Sequence, residues 1–217
     1  GGDEIFGGYE RYKRQLNLLR RKKMNFENHL LEIYKKEIKL FSKYCNFAKP
    51  SNIKTKLKML IKGLSLKSRN PINKILEFDQ VTWLPMLLRK HDVIGMNYNI
   101  EVRPQLVDHD LVKFVNNLIS SDLKFNEKNT KIFIKQFLRK YAKLDFGKKI
   151  GTPTIINQIY NNEHHFNKLK ATLRKSYFIK NYFKKDILRN NEIFKKKNSI
   201  FLWRLYVLSA MFQGRKI

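Results

Sequence analysis

A single cysteine, Cys45, stands in the whole chain. No internal disulfide can form, so packing alone must hold the fold, and a reducing, cytoplasmic location is expected. Acidic residues are scarce as well: 18 against 46 basic ones, a formal charge of +28. Long apolar runs are missing. The most continuous, from Ile200 to Phe212, is too short to span a bilayer and carries Arg204 inside it. Neither a transmembrane helix nor a membrane partner is expected. The opening GGDEIFGGYE places acids and glycines where a signal peptide needs a basic start and an apolar middle. It also lacks a methionine, so the natural polypeptide is expected to begin upstream and the chain to be a fragment. The five histidines form no metalloenzyme pattern: Glu163, His164 and His165 adjoin one another without a partner at ligand spacing.

What is present can build a core. With 217 residues, 42% of them apolar and 13% aromatic, the length suits one domain or a large part of one. The basic excess attracts nucleic acid at low salt. Lys, Asn and Ile are all abundant, however, as in proteins translated from A/T-rich genomes, and the lysine runs are short. Composition is therefore the preferred explanation, with nucleic acid expected only as a non-specific electrostatic partner. The alternative, a basic helical nucleic-acid-binding module, rests on charge alone, without a zinc pattern or an aromatic RNA-binding motif.

Apolar residues recur three and four apart along most of the chain, which predicts a mainly α structure. A helix is expected over His29 to Phe47, broken by Pro50, Ser51 and Asn52, and a second over Thr55 to Leu64. SRNP at Ser68 to Pro71 reads as a turn. Asp108 is placed to cap a helix running through Leu111 to Leu118. Further helices are expected from Thr130 to about Leu144, after a Thr152–Pro153 start, and over Ser199 to Phe212.

Three segments have the residue types for chemistry. In GGDEIFGGYERY, glycine pairs bracket Asp3 and Glu4; bare backbone amides can approach an anion there, and adjacent carboxylates can hold Mg²⁺ against a polyphosphate. An ordinary glycine turn before a helix is the competing interpretation. The block from Asp79 to Asp108 sets Lys90, Asp92, Glu101, Arg103 and Asp108 among apolar residues, which predicts internal ion pairing. Within it, Glu101 and Arg103 lie two apart and, if extended, present an acid and a base to one side. In KKIGTPT, Lys149 precedes a glycine loop and a helix start, a reasonable anion site, or else a surface turn.

In this order the segments resemble the synthetase domain of the asparagine synthetase family and its amidotransferase and lactam-forming relatives. GGDEIFGGYERY is similar to the end of that family's SG[D/E]G[G/S]DE-[L/V]-FGGY motif. FDQ, WLP, LLRKHD, GMNYNIEVR and LVDHDLV resemble its central block, Lys135 to Arg139 with KKIGTPT resemble its lysine and glycine elements, and FLWRLYVLSAMF resembles its closing helix. The resemblance implies a mainly α chain, the C-terminal helical portion of an α/β adenine-nucleotide α-hydrolase-like (PP-loop ATP pyrophosphatase) synthetase domain. Residues 1–217 would be part of one such domain, without its N-terminal glutaminase domain and ATP-binding loop.

It further implies a ligase that uses ATP and Mg²⁺ to activate a carboxylate, aspartate or a related acid, for attack by glutamine-derived ammonia from the missing N-terminal domain. By this resemblance Gly1, Gly2, Asp3 and Glu4 fall at the nucleotide, with Asp3 at the metal and Glu4 supporting it. Lys149 and Glu101 fall on catalytic positions. Val93, Gly95, Pro104, Gln105 and Thr152 depart from the family pattern, which leaves room for another carboxylate substrate or for a non-catalytic relative.

Overall fold

The computed structural model describes residues 1–46, 50–144, 156–184, 187–189, 191–195 and 198–212. Among them the chain is mainly α, with no strand; the extended pairing consists of isolated bridges, Cys45 with Phe183 and Phe125 with Thr130. None of these helices is long and apolar enough to cross a membrane. Two compact units emerge, Gly1–Ile33 with Leu57–Lys149, and Tyr34–Lys56 with Ile150–Ile217.

The first unit opens with α1 (Gly2–Phe6), α2 (Glu10–Lys22) and α3 (Phe26–Ile33). Tyr12, Leu16 and Leu19 recur at helical spacing on α2. They meet Ile72, Ile75 and Leu76 of α6 (Pro71–Met96), with Phe125 closing the cluster. Asn70 starts α6 by accepting from the amides of Ile72 (2.9 Å) and Asn73 (3.3 Å), and Pro71 needs no donor in the first turn. The carboxylate of Glu77 ties the preceding loop to this helix through the amides of Lys67 (2.7 Å) and Ser68 (2.9 Å). Burial opposes the charge of Glu77, but those amides outweigh it and hold the carboxyl below its usual range. At 26 residues, α6 is about 39 Å long. It is buried at its start, whereas Met86, Val93, Ile94 and Met96 on its second half are exposed.

After α6 come a 3₁₀ turn (Gln105–Val107), α7 (His109–Leu118), α8 (Ser121–Lys124) and α9 (Ile132–Ala142). Asp108 caps α7 as expected, accepting from Asp110 (3.0 Å) and Leu111 (3.1 Å). Ile5, Phe6 and Val115 form a second core here, and the Phe6 ring stacks on Phe133 of α9 at 6.4 Å.

The second unit holds α4 (Lys35–Tyr44), α10 (Ile156–Asn161), α11 (Glu163–Lys175), α12 (Tyr177–Tyr182), a 3₁₀ turn (Asn191–Phe194) and α13 (Ser199–Met211). Leu169 and Leu173, Ile179, and Phe201, Leu202 and Leu205 supply its core. Burial there pushes the Cys45 thiol up to about 12, so it is an inert packing residue.

Three expectations need correction. The helix expected over His29 to Phe47 is two helices, α3 and α4: Tyr34 between them has φ −90° and ψ 7°, outside the α region, and the boundary between the units falls at this residue. Pro50 does not break a helix but begins α5 (Pro50–Gly63), since the first turn has no carbonyl partner for the missing N–H. Lys90, Asp92, Glu101, Arg103 and Asp108 are all exposed, so the central charges form no internal network. The helix start expected at Thr152 and Pro153 lies outside the described residues.

Candidate active site around Asp3

The GGDEIFGG segment is a single helical turn that reverses at Gly7, whose φ of 72° is left-handed. The reversal brings the Gly8 amide to 2.8 Å from the Asp3 carbonyl. Glycine at position 8 has a steric reason: a Cβ there would meet the Asp3 carboxylate and the Lys131 side chain. These two side chains form an ion pair over that space, with Lys131 Nζ 2.7 Å from Asp3 Oδ1. Their side chains are 20% exposed at Asp3 and 32% at Lys131, so the carboxylate is reachable yet fixed. Lys131 is itself held in the left-handed region at φ 53°, and its amide reaches the Gly7 carbonyl at 3.2 Å. A helix start, a glycine turn and α9 thus converge on one carboxylate.

Glu4 points the other way. It is fully buried and accepts the Tyr9 hydroxyl at 2.6 Å, while its carbonyl accepts Gln80 at 3.2 Å. Burial and the neighbouring Glu4 carboxylate together raise the Tyr9 hydroxyl well above its usual value, so Tyr9 stays a donor. The aromatic positions of the motif are bracing residues. Tyr9 lies under the Arg11 guanidinium at 4.5 Å, and Trp83 and Tyr12 approach the same guanidinium at 5.2 and 5.5 Å. Arg11 and the Tyr12 hydroxyl (2.6 Å) both bond Asp79 Oδ2. Burial raises the Asp79 carboxyl despite the opposing pull of Tyr12 and Arg11. A buried charge cluster thus exists at Asp79 of α6 with Arg11 and Tyr12 of α2, and it includes none of the five central charges for which internal pairing was expected.

Gly1 and Gly2 lie against the turn after α6, where added side chains would meet Val107 and Leu106. Gly1 also edges a cleft of about 290 Å³ whose other walls are Leu87, Leu88, His91, Val102 and Pro104. Glu101 and Arg103 are not among its lining residues; they form a bidentate pair with each other, at 2.9 and 3.1 Å, on exposed side chains. Val102 and Pro104, the alternate positions, line the cleft instead. Gly95 lets this strand-like stretch approach α6, since a Cβ there would lie 2.5 Å from the Ile100 carbonyl. Lys149 lies outside the described residues.

A family model described as asparagine synthase matches residues 1–203, from the glycine motif into α13. The chain belongs to the asparagine synthase family. No curated protein and no solved structure gives a significant match. Family membership makes this a synthetase-like ligase of an ATP-utilising family. Among the described residues of this asparagine synthase family chain, no three or more His, Cys, Asp or Glu side chains gather in a metal-ligating group. One fixed, partly exposed carboxylate is nonetheless what a Mg²⁺–polyphosphate needs, because Mg²⁺ keeps its waters and draws other ligands from phosphate oxygens. Asp3 is the residue that would hold such an ion. Sequence reasoning missed Lys131, which carries no motif signal and lies 128 positions from its partner.

Proposed function

We propose that this chain contributes the pyrophosphate side of an ATP-dependent amide-forming site, in a domain of the α/β PP-loop synthetase class. The single observation that carries the reading is the Asp3–Lys131 pair at 2.7 Å, set on the glycine-bracketed turn at the start of the family match.

In this reading Asp3 would hold Mg²⁺, which would neutralise charge on the leaving pyrophosphate, and Gly1 and Gly2 would let the backbone approach the phosphates. Glu4 supports the turn from inside through Tyr9. Lys131 offsets the Asp3 charge, and with a cation at Asp3 it would be free to face phosphate oxygens. Lys149 neutralises charge at the reacting phosphate, and Glu101 is a further catalytic position. The acid is aspartate or a related carboxylate. Its oxygen bonds to the α-phosphorus as pyrophosphate leaves; ammonia derived from glutamine then bonds to the acyl carbon as AMP leaves, and the nitrogen loses a proton to solvent to give the amide.

The test compares AMP release in the complete gene product for Lys149→Ala and Lys148→Ala. The neighbouring lysines share one charge environment, so a solvated role predicts equal, small effects, whereas a cation facing developing charge is worth about ten- to a thousandfold in rate. A strong loss at Lys149 with glutamine hydrolysis retained supports the reading. Two variants within about twofold of wild type, or a loss at Lys148 alone, would reject it.

A further inference from the structure

The second unit is the more basic of the two, with 21 basic residues against four acidic ones. Most of its lysines are dispersed, but four cations converge. Arg174 in the last turn of α11, Lys180 on α12, and Lys184 and Arg189 beyond it surround a basin of about 810 Å³. All four side chains are exposed, while the floor is apolar: Ile179 and Ile187 are buried and Leu188 is half-buried.

The basin wall is held in place. Asn46 donates its amide to the Tyr182 carbonyl at 3.1 Å and its side chain to that of Phe183 at 3.1 Å, and the Lys184 amide reaches the Tyr44 carbonyl at 2.8 Å. Ser176 caps α12 through the Ile179 amide at 3.2 Å, fixing the turn between Arg174 and Lys180. In the first unit, cations such as Lys131, Arg20 and Arg103 have carboxylate partners. Among the described residues, none is paired with the four around the basin. Four like charges around one concavity repel one another, and a multiply charged anion relieves that repulsion.

We propose that this basin binds a phosphate-bearing small molecule of nucleotide size. Arg174 and Arg189 grip phosphate oxygens with planar forks, and Lys180 and Lys184 add point charges. Ile179, Ile187 and Leu188 lie beneath the face of the base. The volume lies in the range of small-molecule sites, and the cationic rim suits the charged part of such a ligand. A single-stranded nucleic acid is held by a positive groove with aromatic side chains on which bases stack, and the floor here is aliphatic.

The probe is a fluorescent purine nucleoside triphosphate, titrated into the full chain at physiological salt with chelator present. Arg174→Ala/Arg189→Ala is compared with Lys54→Ala/Lys56→Ala, which removes the same charge from exposed positions of the same unit. Saturable binding that weakens about tenfold or more in the first variant, and by less than about twofold in the second, is expected. Melting curves check that both variants fold. On the wild-type chain, methyl NMR shifts at Ile179, Ile187 and Leu188 locate the ligand without any substitution. Equal weakening in both variants, or methyl shifts absent from the floor, would overturn the proposal in favour of a diffuse field. A short single-stranded oligonucleotide that binds more tightly than the nucleotide, with the same loss in the first variant, would overturn it in favour of nucleic acid. The assay involves no turnover, so its failure leaves the ligase reading untouched.

Discussion

Lys131 Nζ lies 2.7 Å from Asp3 Oδ1, joining the first helical turn of the chain to the start of α9. Only one acid of the Asp3–Glu4 pair is offered outward, because Glu4 is spent on Tyr9. In the complete gene product, Asp3→Asn is expected to lower amide formation by about a hundredfold, the scale of losing a preorganised charge at a reacting phosphate. Lys131→Met should cost less, about tenfold, and shift the Mg²⁺ concentration for half activity, since in the proposed reading Lys131 acts through Asp3. Steady-state rates over a Mg²⁺ series check this; wild-type rates for both variants would show that the pair is structural only.

Gly8 is empty because the ion pair fills the space its Cβ would take. Gly8→Ala should therefore push Asp3 and Lys131 apart and cost about 1–3 kcal/mol of stability, the usual scale of overpacking. Shortening the obstacle in Gly8→Ala/Lys131→Ala should recover part of the loss. Urea unfolding of Gly8→Ala, Lys131→Ala and the double variant decides the matter: if the double variant is destabilised by the sum of the single effects, the collision is not the cause.

Tyr12 is buried with its hydroxyl 2.6 Å from Asp79. Tyr12→Phe keeps the ring packing on Phe125 but leaves the carboxylate with the Arg11 contact alone, so a loss of about 1–3 kcal/mol is expected. Asp79→Leu/Arg11→Leu, which removes both charges, should cost less than Asp79→Leu, which strands Arg11. Denaturant midpoints give the comparison, and the reverse order would sink the idea of an internal charge network.

His29 is fully buried beside Phe26, neither ring nitrogen has a hydrogen-bond partner among the described residues, and burial lowers its pKa from 6.5 to about 4. The unfolded chain therefore binds a proton that the folded one refuses across that interval. Stability should be constant above about pH 6.5 and fall as pH drops toward 4, by roughly 3 kcal/mol at most from this residue. His29→Leu should flatten that part of the curve. Thermal melts at closely spaced pH values test it; an unchanged slope in His29→Leu assigns the acid sensitivity elsewhere.

Local order was written in the sequence wherever a local cause sufficed. The helical period, the Asp108 cap and the apolar α13 depend on neighbours within a turn or two, and all appear as expected. The helix over His29 to Phe47 divides in two at Tyr34, where the boundary between compact units falls, a property no window of residues contains. Lys124 shows the same limit. It looks like any of the chain's lysines, yet it is buried with a single bond to Asn73, and burial lowers it to about 8.

The GGDEIFGG motif marked its own neighbourhood, because glycine spacing and acid position are local properties. Which acid faces outward was not: Tyr9, five residues on, and Lys131, far along the chain, divide Glu4 from Asp3. Composition likewise set the basic excess without saying where cations converge, which depends on α11 and α12 meeting at Ser176. Sequence alone thus determined the mainly helical character, the Asp108 cap and the family. Tertiary structure decided which charges pair and which stay open, because Coulomb attraction and burial depend on distance in space, and those distances exist only after the helices have packed.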